Sequence, residues 1–203
     1  MSNDLEELTR RTFMANATLT LGGIIGLGLA IPIAGALMPS VGAGTGRWAP
    51  LDDADWRSLQ AATEKPVQIS FKLVGKDAYL PVGESAAFVW GIKTDMASFR
   101  KLRPDVYDDG KNDLPYAPVT MGFALFSPVC PHLGCSVNWH DDVNRFVCPC
   151  HGSQYDQLGA HVAGPAARGL DPLPLRERSG VAEVMWIRYA PTIADRLVVS
   201  YIS

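Results

Sequence analysis

The reactive side chains of this sequence are concentrated in two short segments, Cys130-Pro131-His132-Leu133-Gly134-Cys135 and Cys148-Pro149-Cys150-His151-Gly152-Ser153-Gln154-Tyr155. Each offers one Cys and one His at metal-ligand spacing, C-x-H in the first and C-x-x-H in the second. Gly134 and Gly152 allow the backbone to turn closely around a buried inorganic group. All 4 cysteines of the chain fall between positions 130 and 150. A disulfide framework that staples a whole domain spreads its cysteines more widely, so this clustering with histidine points to a metal site. Structural zinc uses the same ligand types, but as C-x2-4-C followed by H-x3-5-H, whereas here each loop mixes the two. Two Cys and two His suit a [2Fe–2S] cluster bound by Cys130, His132, Cys148 and His151. In that arrangement histidines replace thiolates on one iron and raise the reduction potential.

These motifs resemble the Rieske iron–sulfur subunit of quinol–cytochrome c and quinol–plastocyanin oxidoreductases, the bc1 and b6f complexes. The resemblance covers about 127–175 closely and the layout of the chain in general terms. It implies that Cys130 and Cys148 hold one iron, that His132 and His151 hold the other, and that Cys135 and Cys150 form a disulfide between the loops. Such a bond persists outside the cytoplasm, where thiols are not kept reduced. Rieske ferredoxins and ring-hydroxylating oxygenases share the ligand spacing but usually lack the disulfide pair. Ser153 and Tyr155 stand where the high-potential family places two hydroxyl donors, one to a bridging sulfide and one to a ligand sulfur; each stabilises the more negative reduced cluster. Gly164-Pro165-Ala166, preceded by His161, resembles the family's cluster-shielding proline loop. The family more often continues with a second proline, where this chain has Ala167-Arg168-Gly169. His140 and His161 are not ligands on this reading.

The resemblance also implies a reaction. A quinol held by a cytochrome b subunit hydrogen-bonds His151 and gives up one electron, and the head carries that electron to a c-type cytochrome of the c1 or f kind. The chain is then one subunit of an oxidoreductase and translocase and is not active alone. An exported electron-transfer subunit of a molybdenum oxidase resembling arsenite oxidase is the alternative, and it predicts a cleaved leader and a soluble mature chain.

The rest of the sequence has to position these loops. No charged residue occurs from Thr12 to Gly46, and 15–38 is the most apolar part. Its 24 residues would make a helix of roughly 36 Å, enough to cross the ~30 Å hydrocarbon core of a bilayer with some tilt. A cleaved signal h-region is the competing reading, although such regions are usually about 7–15 residues. Thr9-Arg10-Arg11-Thr12-Phe13-Met14 precedes it and has the form of a twin-arginine export signal, so 1–14 reads as a cytoplasmic tail. The expected location is the bacterial cell membrane, single-pass, N-terminus cytoplasmic and cluster domain outside. Residues 39–50 read as a flexible hinge, with Trp48 as an aromatic anchor at the membrane interface.

Residues 51–203 read as the Rieske head, with a mostly β fold: a small antiparallel β-sandwich carrying an inserted cluster-binding subdomain. Strands are expected at 67–74, 86–93, 121–126, 181–189 and 197–202, a short helix at 52–62, and a loop at 101–118. The strands at the end of the chain, beyond 175, have no function assigned by these patterns. The net charge of −3 and the absence of basic stretches interleaved with aromatics exclude nucleic acid as a partner.

Overall fold

The structure is a computed structural model that describes residues 10–37, 47–62, 65–75, 83–106 and 114–202. It divides into two compact units, Met1–Gly42 and Ala43–Ser203. In the first, α1 (Arg10–Leu37) is a helix of 28 residues. Its stretch Thr12–Ile31 has a mean hydropathy of 1.6 and none of it is buried within the protein. Leu19, Leu21, Ile24, Ile25, Leu27 and Ile31 are all exposed, and at 3.6 residues per turn they surround the helix rather than line one face. The hydroxyls of Thr18 and Thr20 donate back to the carbonyls of Met14 and Asn16, each at 2.8 Å. These two hydroxyls are therefore satisfied within the helix, as a non-aqueous solvent demands. By length and composition α1 is able to cross a membrane. Residues 1–9 of the expected tail, including Thr9 of the arginine-pair motif, Met38 of the expected span and positions 39–46 of the expected hinge lie outside the described residues.

The second unit runs through β1 (Trp48–Pro50), α2 (Asp53–Ala61), β2 (Val67–Gly75), β3 (Gly83–Lys93), α3 (Met96–Leu102) and a 3-10 turn (Pro104–Val106). Short strands follow: β4 (Val119–Thr120), β5 (Phe123–Phe126), β6 (Asn138–His140), β7 (Arg145–Val147), β8 (Gln154–Tyr155) and β9 (His161–Ala163). The last are β10 (Pro172–Leu173), β11 (Leu175–Arg178), β12 (Val181–Tyr189) and β13 (Val198–Ile202). They form three antiparallel sheets: β1-β12-β11 with β13 against β12, β10-β5-β3-β2 with β4 against β5, and β6-β7-β8-β9. The first two are the base of the head, and the third is the inserted subdomain. Its insertion point is visible in the register, since β5 pairs antiparallel with β10 as Phe126↔Pro172 and Leu125↔Leu173. The Ser127 N–H donates to the Asp171 carbonyl at 2.9 Å and extends this pairing by one rung. Everything between leaves and returns across neighbouring rungs.

The central sheet separates two hydrophobic cores. Phe123 and Leu125 of β5, with Val89 of β3, pack against Ile69, Leu51, Leu59, Val184 and Trp186. Ala124 and Phe126, with Trp90 and Ile92, pack against Phe99, Phe146, Tyr155 and Leu170. Alternate side chains of a strand point to opposite faces, so a strand buried on both faces is apolar throughout; hence the unbroken Phe-Ala-Leu-Phe of β5. Helix α2 is capped by Asp52, whose carboxylate accepts from the N–H groups of Ala54 and Asp55. Its Leu59 lies so close to β3 that a β-carbon at Gly91 would stand 2.8 Å from the Leu59 side chain and 2.7 Å from Ile69.

Three expectations need correction. Trp48–Pro50 belong to a strand, not to the hinge: β1 pairs with β12 in the register Trp48↔Met185. The Trp48 ring lies 4.2 Å beneath the Arg176 guanidinium, a cation–π contact within the head. Position 121 does not open a strand, because Met121 (φ 56°) and Gly122 (φ 79°) both adopt left-handed backbone and turn the chain into β5. Finally, the expected loop at 101–118 begins inside α3, a helix that sequence patterning missed. Asp95 caps it by accepting from Ala97 and Ser98 N–H, and Phe99 buries its one apolar contact.

Candidate metal centre

The two motif segments fold as structural twins. In the first, the Gly134 N–H donates to the Cys130 carbonyl (3.0 Å) and the Cys130 N–H to the Cys135 carbonyl (2.8 Å). In the second, the Gly152 N–H donates to the Cys148 carbonyl (3.0 Å) and the Cys148 N–H to the Ser153 carbonyl (2.8 Å). Gly134 (φ 84°) and Gly152 (φ 73°) occupy the equivalent left-handed position in each loop. The second loop descends from β7 and leads into β8, while the bridge Val129↔Ser136 closes the base of the first. The Trp90 indole N–H reaches from the central sheet to the Val137 carbonyl at 3.2 Å and holds the first loop to the base.

The four expected ligands converge between these loops. Cys130 and Cys148 are buried and unbridged. The rings of His132 and His151 meet edge to face with centroids 4.8 Å apart. His132 is half-buried and His151 exposed, so the imidazole pair lies on the outer side and the thiols inside. Cys135 and Cys150 are joined by a disulfide across the loops, with Cα atoms 6.5 Å apart. The sulfurs of Cys135, Cys148 and Cys150 lie within 4.8 Å of one another, but the disulfide removes Cys135 and Cys150 as ligands.

The chemistry of the donor set fits a [2Fe–2S] cluster. His132 Nδ1 is buried without a hydrogen-bond partner, an arrangement that costs free energy unless something else binds the nitrogen. Burial pushes the Cys148 thiol up, and the neighbouring Cys130 thiol adds to the effect. The Cys148 thiol does not readily become a thiolate unaided, whereas bound ferric iron would hold it deprotonated.

Around this set lie the two hydroxyls singled out in the sequence. Tyr155 is fully buried and its hydroxyl is 3.1 Å from Cys130 Sγ. Burial keeps that phenol protonated far beyond neutral pH, with Cys130 acting in the same sense, so it is available as a donor to a sulfur ligand. Ser153 is also fully buried; its Oγ accepts the Ala166 N–H at 3.2 Å, which leaves its own proton to donate elsewhere. Ala166 closes the Gly164-Pro165-Ala166 segment, so the hydroxyl of the second loop is bonded to the expected shielding loop. His161 Nε2 lies 3.1 Å from the Gly164 carbonyl, a structural contact in keeping with its non-ligand reading. His140 is exposed, 3.9 Å from the Asp142 carboxylate.

Sequence patterning missed one neighbour of the first loop: the Thr192 N–H donates to the Pro131 carbonyl at 2.8 Å. Its signal is a backbone amide from a distant part of the chain, which no local motif records.

Fold and site together define a Rieske [2Fe–2S] protein, and residues 118–174 match the family described as Rieske [2Fe-2S] domain. The chain is 31% identical over 180 residues to the cytochrome b6-f complex iron-sulfur subunit of Synechococcus sp. (strain CC9605), covering 83% of this chain and 80% of that protein. It is 33% identical over 174 residues to the subunit of the same name from Synechococcus elongatus, covering 83% and 78%. The chain therefore belongs to the family of Rieske iron–sulfur subunits of bc-type cytochrome complexes. Among solved structures, the soluble domain of the Rieske protein II (soxF) from Sulfolobus acidocaldarius aligns with 78% of this chain and 88% of its own, at 16% identity and a TM-score of 0.42.

Proposed function

We propose that this chain is the membrane-tethered electron carrier of a quinol oxidoreductase, taking one electron from quinol and delivering it to a c-type cytochrome. The observation that carries this reading is the layered site: sulfur ligands buried, and an imidazole pair at the surface with His151 exposed. In this proposal Cys130 and Cys148 hold one iron and His132 and His151 the other. When bound, the group supplies one-electron acceptance coupled to a proton on a histidine.

The chain's own residues do the rest. The outer nitrogen of His151 can take a hydrogen bond from a quinol hydroxyl presented by a cytochrome b subunit. The Tyr155 hydroxyl donates to the Cys130 sulfur and favours the more negative reduced state; the Ser153 hydroxyl acts in the same direction. The Gly164-Pro165-Ala166 loop, bonded through Ala166 to Ser153, excludes water from the thiol side. Helix α1 spans the membrane with its N-terminus cytoplasmic, the arginine pair directs export of the folded head, and 39–46 serve as the pivot on which the head moves between partners.

The test is purification of the native complex from membranes. We expect b- and c-type haems to accompany the chain, and added quinol to reduce both the chain and the c-type haem. Recovery of the mature chain in the soluble fraction, haem-free and lacking its N-terminal leader, would overturn the reading in favour of an exported molybdenum-oxidase subunit.

A further inference from the structure

Arg168 stands where the family pattern is broken, two residues beyond Ala166 of the Gly164-Pro165-Ala166 loop, and it is buried to 5% exposure. Its Nε and Nη2 grip the two carboxylate oxygens of Asp171, each at 2.8 Å. Its Nη1 donates to the Ala190 carbonyl at 2.9 Å and to the Ile193 carbonyl at 2.6 Å. These two carbonyls flank Thr192, whose φ of 67° is a left-handed conformation that β-branched residues rarely adopt. Such backbone persists only where its surroundings over-determine it, and here the Arg168 fork supplies that constraint. The result is that the Thr192 N–H is presented to the Pro131 carbonyl at 2.8 Å. That carbonyl shares a planar peptide with the nitrogen of His132, so holding it orients the backbone that carries the His132 side chain.

We infer that Arg168 is a positioning residue for His132, acting through the Thr192 turn. The C-terminal segment 190–196 thereby acquires a role: it is the strut between the end of the shielding loop and the first cluster loop. The contact requires a planar guanidinium, because three donors must reach a carboxylate and two carbonyls at once, which the single ammonium point of lysine cannot match. The inference rests on His132 being a ligand, as proposed above.

The test uses the full-length, cluster-loaded chain in detergent, with iron content, EPR g-values, midpoint potential and thermal melting measured on each variant. Arg168→Gln and Arg168→Lys should retain iron but broaden and shift the EPR signal, and lysine should fail to rescue it. Thr192→Gly keeps the N–H and is at ease at this φ, so it should preserve the signal. Should Arg168→Gln not accumulate as folded protein, Asp171→Asn weakens the same fork at constant volume and carries the same expectation. Native g-values in the Arg168 variants, or in Asp171→Asn where it replaces them, overturn the inference. A lowered melting temperature does not save it, and neither do potentials that move in opposite directions for Arg168→Gln and Asp171→Asn, which would mark a purely electrostatic effect. His132→Ala reports separately on the ligand: loss of the Rieske signal sustains that reading, and a native signal removes it whatever the Arg168 variants do.

Discussion

A β-carbon on Gly164 would sit 2.5 Å from Ser153 Cα and 2.8 Å from Ser153 N, and the residue's φ is +91°. Both obstacles are backbone, so neither can be relieved by rotating a side chain. Gly164→Ala should destabilise the head by on the order of 2–4 kcal/mol, from forced overpacking together with left-handed backbone strain. Chemical denaturation followed by the visible absorption of the cluster measures this, and an unchanged midpoint would show that the two segments separate freely. At the level of single residues, the sequence is legible where a motif is local: the Cys and His of each loop and their turn glycines lie within a few positions of one another. Ser153 and Tyr155 stand out through the family resemblance instead, since the Tyr155 hydroxyl meets Cys130 from 25 positions away. Arg168 and Thr192 were not readable, because an arginine in a stretch such as Ala-Arg-Gly-Leu-Asp has the look of a solvated turn. Its burial depends on carbonyls more than 20 residues away.

Strand β5 divides the head into its two cores, and its alternate residues answer to different neighbours. Phe126 is fully buried on the side of the inserted subdomain, stacked on Phe99 at 6.2 Å between ring centroids. Phe126→Ala should cost about 3–5 kcal/mol and loosen the metal-site loops as well as the base. Leu125, its neighbour, faces the other core. Comparing Phe126→Ala with Leu125→Ala by hydrogen exchange should show loss of protection around Phe146 and Tyr155 in the first variant only. Equal effects would refute the division into two cores. Strands β2, β3, β5 and β12 were visible in sequence because short runs of β-branched and apolar composition are short-range signals, whereas β4 and β10, two residues each, were not. Helix α3 was not, since its 7 residues offer a single buried apolar side chain and no repeat from which to read a period. Strand β1 was hidden for another reason: its pairing with β12 is decided by a partner more than 130 positions away.

An alternating row of charges, buried except at the half-exposed Asp105, ties the distant parts of the head together. Arg103 pairs with Asp105 at 2.9 Å, Asp105 with Arg196 at 2.7 Å, Arg196 with Asp171 at 3.2 Å and Asp171 with Arg168 at 2.8 Å. Arg103 also donates to the carbonyls of Leu158 (2.7 Å) and Leu170 (2.8 Å), so the row reaches into the inserted subdomain. Partial burial opposes ionisation of Asp105, but Arg103 and Arg196 prevail and hold its carboxyl at about 2 instead of 3.8. A lowered folded-state value means that the unfolded chain binds the proton more readily. The contribution to stability is therefore complete above about pH 4 and lost as pH falls towards 2. At the other end, Tyr116 donates to the Pro172 carbonyl and its oxygen meets the Tyr189 hydroxyl. Burial pushes Tyr189 up to about 12 from 10, and its contribution is lost as pH rises from about 10 through 12. Thermal melts across pH should show a plateau bounded by these two windows; for Asp105→Asn the acid limb should flatten, and an unaltered limb would assign acid loss to other carboxylates.

The pairing of Phe126 with Pro172 and of Leu125 with Leu173 has an evolutionary consequence. An excursion whose ends are hydrogen-bonded neighbours can lengthen or shorten without displacing any other strand of the sheet, since added loop length costs little closure entropy. Insertions and deletions among descendants of a common ancestor should therefore collect between these rungs, as in the turn between β6 and β7, while the register of β5 with β10 stays constant. The cluster-bearing part is in this sense an heirloom set in a fixed mount: lineages are free to re-cut the stone, provided that the two prongs of the setting stay where they are.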